Sequence, residues 1–249
     1  MKHILQLLII SLLFSCAEQE ESKEYFSPEL IAHAGGAIDS CIYTNSREAL
    51  EQAFENGYRF IEFDLLFTND SILVAAHSWN DFNVMTDSAH WGDSVPSYDD
   101  FVSRRIYKCY TPLSAQEINI FFERHPALSL VTDKTSDPDV LQHYFPNLKE
   151  RMVVEAFSFQ HYCRLKSQGY SRVLYSCMAD DLSATLFGSS LGEIEWIALH
   201  TSAFDNTIFK FIESIADFDI ALFTVDTLES IPAEYRDRVK MVYTDYITP

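Results

Sequence analysis

The amino-acid sequence predicts a single-domain (β/α)8 barrel of the α/β class, on three observations. Short apolar runs rich in β-branched and aromatic residues recur along the chain, stretches with helical spacing separate them, and an ionisable residue follows most of the runs. Strands alternating with helices build a parallel sheet covered by helices. Eight such units in 249 residues suit one barrel carrying an insertion. An open doubly wound sheet is the alternative arrangement of the same units.

The strands are expected at residues 30–32, 60–66, 128–132, 152–156, 172–176, 196–199, 220–225 and 241–244. Between the first two, Ser46 has the chemistry of an N-cap and Gly57 of a terminator, which predicts a helix over residues 46–56. A second helix is expected over 114–124, closed by His125-Pro126. An extra strand at 72–76 and an irregular stretch at 80–110 make up the insertion after the second βα region. From Pro28 onward no Gly/Ser linker, low-complexity run or internal repeat divides the chain, so residues 28–249 are expected to form one domain.

Ahead of that domain, Met1-Lys2-His3, an apolar run from Ile4 to Phe14 and the pair Ser15-Cys16 describe an export signal too short to span a bilayer. The ending Leu13-Phe14-Ser15-Cys16 resembles a bacterial lipoprotein signal. On that reading residues 1–15 are removed, Cys16 carries the lipid, and acidic residues 16–27 form a tether. The protein is then an exported lipoprotein of the cell envelope, on the periplasmic or surface side of the outer membrane, held to the membrane through its N-terminus. An ordinary secretory signal cut nearby is the alternative. The other cysteines, Cys41, Cys109, Cys163 and Cys177, lack the close spacing of a zinc site and are read as core or free thiols.

Eighteen basic residues against 37 acidic ones give a formal charge of −19, a field that repels phosphate chains and excludes nucleic acid as a principal partner. Any small anionic substrate meets the same field. Its site must invert the charge locally, most simply with a bound cation.

In a barrel, chemistry belongs at the C-terminal ends of the strands. His33, Asp133, Glu155, His200, Asp226 and Asp245 fall at or near such ends. A helix N-cap is the simplest role for Asp226. In the run 60–66, Glu62 and Asp64 share one face while Ile61, Phe63 and Leu65 take the other. Two carboxylates aimed together into the mouth need a cation between them. Oxygen ligands favour one divalent ion, Ca2+ or Mg2+, with Asp133 as a third ligand. Satisfaction of the pair by a buried Lys or Arg is the alternative. His77 closes the run 72–76, and with His33 it makes a natural general acid and general base. Glu155 and His200 are expected to line the pocket, and Trp79, Trp91 and Tyr98 are candidates for an aromatic lip beside it.

Taken together, Ile31-Ala32-His33-Ala34-Gly35-Gly36, Thr44-Asn45-Ser46-Arg47-Glu48-Ala49, Ile61-Glu62-Phe63-Asp64, the strand ending at His77, Phe223-Thr224-Val225-Asp226 and Tyr243-Thr244-Asp245-Tyr246 resemble the glycerophosphodiester phosphodiesterase family. The variant around His33 and Asp133 is similar to the branch described jointly with phosphatidylinositol-specific phospholipases C. The resemblance implies a (β/α)8 barrel, His33 and His77 as catalytic groups, Glu62, Asp64 and Asp133 as metal ligands, Lys134 as a phosphate contact and Asn45 on the substrate side. Departures are visible. Ala34 stands where the family carries a phosphate-binding Arg, Thr44 replaces a Glu, and Ser78 replaces the acid after the second His. Asp133 and Lys134 are adjacent, which puts them on opposite faces if the strand continues. The expected function is hydrolysis of a small-molecule glycerophosphodiester or related phospholipid head-group diester. A non-catalytic lipoprotein binding a phosphorylated glycan or lipid head group is one alternative, and a metal-dependent barrel hydrolase acting on carbonyl substrates is another.

Overall fold

The computed structural model describes residues 26–86, 92–176, 193–214 and 216–249. The export signal, Cys16, nearly all of the tether, Trp91 and Cys177 lie outside the described residues.

Among the described residues nine strands run in chain order: β1 (Glu29–Ala32), β2 (Phe60–Phe67), β3 (Leu73–Ala75), β4 (Ser129–Asp133), β5 (Met152–Ala156), β6 (Arg172–Ser176), β7 (Trp196–His200), β8 (Asp219–Phe223) and β9 (Val239–Thr244). Eight of them form a parallel ladder, β1-β2-β4-β5-β6-β7-β8-β9. The last strand pairs back onto the first, Ile31 opposite Tyr243 and Ala32 opposite Thr244, so the sheet closes and the open arrangement is excluded. β8 stops at Phe223, two residues short of the expected end.

Helices cover the cylinder. Ser46 Oγ accepts from the Ala49 amide and starts α1 (Arg47–Glu55). Ser114 and Glu117 form a reciprocal capping box at the start of α4 (Ala115–Arg124), satisfying donors that the first turn would otherwise orphan. α5 (Pro138–Tyr144), α6 (Phe159–Ser167) and α7 (Thr207–Glu213) follow their strands.

The period-two alternation of the strands sorts side chains into two apolar layers. Ile61, Phe63, Leu65, Leu130, Val154, Ile197 and Leu222 face outward into the large core beneath the helices. Phe60, Val131, Val153, Leu174, Ala198, Ala221 and Met241 fill the interior. At the N-terminal end Arg172 sits over the Phe60 and Trp196 rings and pairs with Glu29 at 3.2 Å. The interior is therefore packed, and the inward positions above it are left for polar residues.

Between β2 and α4 the chain inserts β3, antiparallel to the end of β2, then α2 (Trp79–Met85) and α3 (Tyr98–Ser103). This insertion has its own small core of Val74, Ala76, Phe82, Phe101, Ile106 and Tyr110. Trp79 and Tyr98 pack against that core, so they brace the insertion instead of forming a lip. Cys41, Cys109 and Cys163 are free thiols.

The loop after β1 depends on Gly35, whose φ is +86° and whose added Cβ would stand 3.0 Å from Ala49 Cβ. Gly57 has a similar φ, +88°, but nothing within 4 Å. Left-handed backbone costs a side-chain-bearing residue about 1–2 kcal/mol. Gly35→Ala is therefore expected to lower the melting temperature by about 2–8 °C, and by more than Gly57→Ala, which carries the backbone term alone. Thermal denaturation followed by circular dichroism checks this, and an equal effect at both positions would remove the close approach as a cause.

Candidate active site

β2 supplies the first two acidic groups. Glu62 and Asp64 are each 1% exposed and point into the mouth, as their spacing requires. Glu62 Oε2 accepts from the Ala34 amide at 2.7 Å. Ala34 can offer that amide because its backbone is left-handed, at φ +48°. Glu62 Oε1, by contrast, has no hydrogen-bond partner although it is buried. Asp64 is clamped by Asn45: the amide nitrogen donates to Asp64 Oδ2 at 2.9 Å, and the Asp64 N–H donates to Asn45 Oδ1 at 3.1 Å. Asn45, expected on the substrate side, is fully buried and positions a carboxylate.

Asp133 ends β4 directly beside Asp64 in the parallel register. One carboxylate oxygen from each of Glu62, Asp64 and Asp133 lies within 4.8 Å of the others. Lys134 does not continue the strand. Its φ of +64° turns the side chain back, so that Nζ lies 2.9 Å from Asp133 Oδ2 and 3.4 Å from Asp64 Oδ1. Adjacency in sequence thus becomes adjacency in the site. The lysine answers part of the negative charge, but one ammonium among three carboxylates leaves the cluster acidic and Glu62 Oε1 bare.

Burial, then repulsion from Asp64 and Asp133, raises the Glu62 carboxyl well above the ordinary range. Burial and the Asp64 charge raise Asp133 in the same direction. For Lys134, burial opposes the charged form, but Asp133 and Asp64 outweigh it and hold the ammonium more firmly protonated than usual. Glu155, on β5, is pushed up to about 8 by burial and by Asp133, and it accepts a hydrogen bond from the Tyr243 hydroxyl. It joins the cluster as a carboxyl that is mostly neutral at pH 7.

The histidines at the first strand end and after β3, His33 and His77, are each held by a carboxylate. His33 Nδ1 lies 3.0 Å from Asp245 Oδ1, at the end of β9. Asp226 Oδ1 accepts from the Asp245 amide at 2.8 Å and from Thr244 Oγ1 at 2.9 Å, so it ties the β8 and β9 ends together and is not a helix cap. His77 Nδ1 lies 2.7 Å from Asp81 Oδ2, which also accepts from Ser78 Oγ. The acid missing at position 78 is thus supplied from the first turn of α2. With Nδ1 engaged, Nε2 is the nitrogen that each imidazole has left to offer.

Tyr43 stands between them, its ring centroid 4.7 Å from each imidazole. Burial, then the Asp245 charge, raises its phenol, and a hydrogen bond with the Thr224 side chain offsets part of that rise. His200, expected in the pocket, stays exposed at the rim, where it bonds Ser202 and packs on the Phe223 ring.

Sequence reasoning missed Tyr43, Asp81 and the pairing of Asp245 with His33. Ser78-x-x-Asp81 was a readable signature, since an acid three residues past an N-cap serine marks a first turn. Tyr43 gave no signal, because its left-handed backbone, at φ +58°, follows no rule of composition.

A closed parallel barrel that gathers histidines and buried carboxylates at its C-terminal mouth has the framework of a (β/α)8-barrel enzyme. The sequence matches the glycerophosphoryl diester phosphodiesterase family over residues 34–200, and the chain belongs to that family. Its fold is similar to a glycerophosphodiester phosphodiesterase from Parabacteroides distasonis, at 17% identity and a TM-score of 0.61 over 87% of this chain and 92% of that one. It is also similar to a phosphodiesterase from Oleispira antarctica solved with its product sn-glycerol-3-phosphate, at 19% identity and a TM-score of 0.62 over 89% and 94% of the two chains. A glycerophosphodiester phosphodiesterase from Thermotoga maritima gives 13% identity and a TM-score of 0.60 over 88% and 95%. Among proteins of curated function none matches the chain in sequence.

With Glu62 and Asp133 both raised, the cluster keeps protons more firmly than ordinary carboxyls do, and a divalent ion at these oxygens would compete with them. Ca2+ or Mg2+ uptake is expected to release protons and to tighten as pH rises. Isothermal titration in two buffers of different ionisation enthalpy reads the released protons directly. Identical heats in both buffers would contradict the raised carboxyls.

Proposed function

We propose that the chain is a metal-dependent glycerophosphodiester phosphodiesterase working by histidine acid/base catalysis. The observation that carries this reading is Glu62 Oε1, a buried and unpartnered oxygen on a carboxylate that clusters with those of Asp64 and Asp133, one oxygen of each lying within 4.8 Å of the others. Such an atom is costly unless a cation completes it. The donors are all hard oxygens, which fits Ca2+ or Mg2+ held by Glu62, Asp64 and Asp133. Bound there, the ion would polarise a phosphate oxygen and offset the charge that builds in the transition state.

The chain's own residues do the rest. Lys134 is the cationic donor beside the cluster and takes the phosphate-facing role that Ala34 cannot fill. One of His33 and His77 removes a proton from the attacking hydroxyl or water, and the other protonates the leaving alkoxide. Asp245 and Asp81 fix the two tautomers and stabilise each imidazolium as it forms. Where a neighbouring substrate hydroxyl attacks, a cyclic phosphate forms first and water opens it second. Ala34 also favours a second reading, a lipoprotein that binds a phosphorylated glycan or head group without turnover. Metal-dependent hydrolysis separates the two.

The basic start, the apolar run to Phe14 and Cys16 support export and lipid anchoring in the cell envelope as part of the same proposal.

Two outcomes are expected. His33→Ala and His77→Ala should each lower kcat on glycerophosphocholine by ~10²- to 10⁴-fold, with the circular dichroism spectrum of the wild type retained. Rates near wild type for both variants would end the acid/base assignment. Cys16→Ser should move the protein from the membrane fraction to the soluble fraction of the expressing cell, and continued sedimentation with membranes would refute the anchor.

A further inference from the structure

One cavity joins the site at His77 and has walls that the mechanism does not use. It has a volume of about 370 Å3 and opens beside His77, with Tyr43 and Asp81 at its inner end. Its outer walls are Ile42, Val84, Met85 and Tyr107. On α2, Asp81, Val84 and Met85 lie three and four residues apart and so share one face. The face that gives Asp81 to His77 therefore gives two apolar side chains to the cavity one turn later. Tyr107 closes the far side, its N–H donating to the Met85 carbonyl at 2.8 Å.

Val84 is 55% exposed and Tyr107 47%, an apolar wall left open to water next to a catalytic imidazole. Among the described residues no Lys or Arg lines the cavity, and Asp81 is itself a carboxylate, so a second anionic group finds no partner among them. The volume is within the range of small-molecule sites, about 300–1,000 Å3. A glycerol or other polyol arm would leave these walls wet. Met85 suits a flexible apolar occupant, because its unbranched thioether adapts to irregular shapes.

We propose that this cavity receives an aliphatic chain carried by one ester arm of the substrate, so that single-chain, lysophospholipid-type diesters are preferred over fully deacylated ones. The proposal rests on the phosphodiesterase reading of the adjoining site. A buried methylene is worth roughly a three- to fourfold change in kcat/KM.

The test uses the metal-loaded protein and a series from glycerophosphocholine through lysophosphatidylcholines of increasing chain length, each below its micelle-forming concentration. Expected is a kcat/KM that climbs severalfold per methylene until the cavity is filled. In Val84→Ser and Met85→Gln the ratio of chain-bearing to chainless substrate should fall back towards one. A ratio independent of chain length in the wild type overturns the proposal. So does a preference for choline over ethanolamine at every chain length, which would assign the cavity to a quaternary ammonium against Tyr43 and Tyr107. If no diester is hydrolysed, the catalytic reading fails by itself. Calorimetric binding of alkyl phosphates of increasing length, wild type against Val84→Ser, then decides: affinity that rises with length only in the wild type keeps the chain site, and a flat series removes it.

Discussion

Three carboxylates packed within 4.8 Å of one another at the closed mouth of the barrel are the constraint on which the rest of the molecule turns. Like charges in a buried site repel, and each loses its hydration, so nothing local favours the arrangement. Closure of the eight-stranded cylinder imposes it. Glu62 and Asp64 share a face of β2, and the parallel register sets Asp133 next to Asp64. Around that fixed point the protein places compensation: the Ala34 amide on Glu62, the Asn45 carboxamide on Asp64, and the Lys134 ammonium across Asp64 and Asp133. Of the oxygens on these three carboxylates, Glu62 Oε1 is the one left buried without a partner.

The compensation is delivered by unusual backbone. Ala34, Tyr43, Asn45 and Lys134 all have positive φ, between 48° and 64°, and all reach the mouth. Each such residue stores about 1–3 kcal/mol of strain that the surrounding structure must hold. The large outer core and the filled interior supply that support. The rigid cylinder lets four strained residues persist, and in return they aim an amide, a ring, a carboxamide and an ammonium where regular structure has none to offer.

This explains which residues the sequence could and could not disclose. Strand periodicity reports which side of the sheet a residue faces, so Glu62 and Asp64 were legible as a pair and Ile61, Phe63 and Leu65 as their backing. Strand ends disclosed His33, Asp133 and Glu155. The same rule does not say which way such a residue leans, and His200 at its strand end stays exposed at the rim. It also separated Lys134 from Asp133, because the rule assumes that the strand goes on and a left-handed residue ends it. Asn45 was visible only as a motif letter, and its buried grip on Asp64 depends on the fold of the loop after β1. The bond between His33 and Asp245 spans 212 residues and exists only once β9 has paired with β1.

The departure at position 78 shows how this chain couples its catalytic centre to its insertion. An acid directly after His77 would be carried by the strand end and would not depend on how the insertion is seated. Here Ser78 caps α2 instead, and the acid comes from Asp81 within that helix. The orientation of His77 therefore depends on α2 being seated, which in turn depends on Phe82 stacking against Phe101 from α3 at 4.6 Å. The same helix carries Val84 and Met85 into the cavity beside the imidazole. The orientation of His77 and the apolar wall next to it are thus set by one element, and a change in the insertion that reshapes the wall reaches the histidine through Asp81.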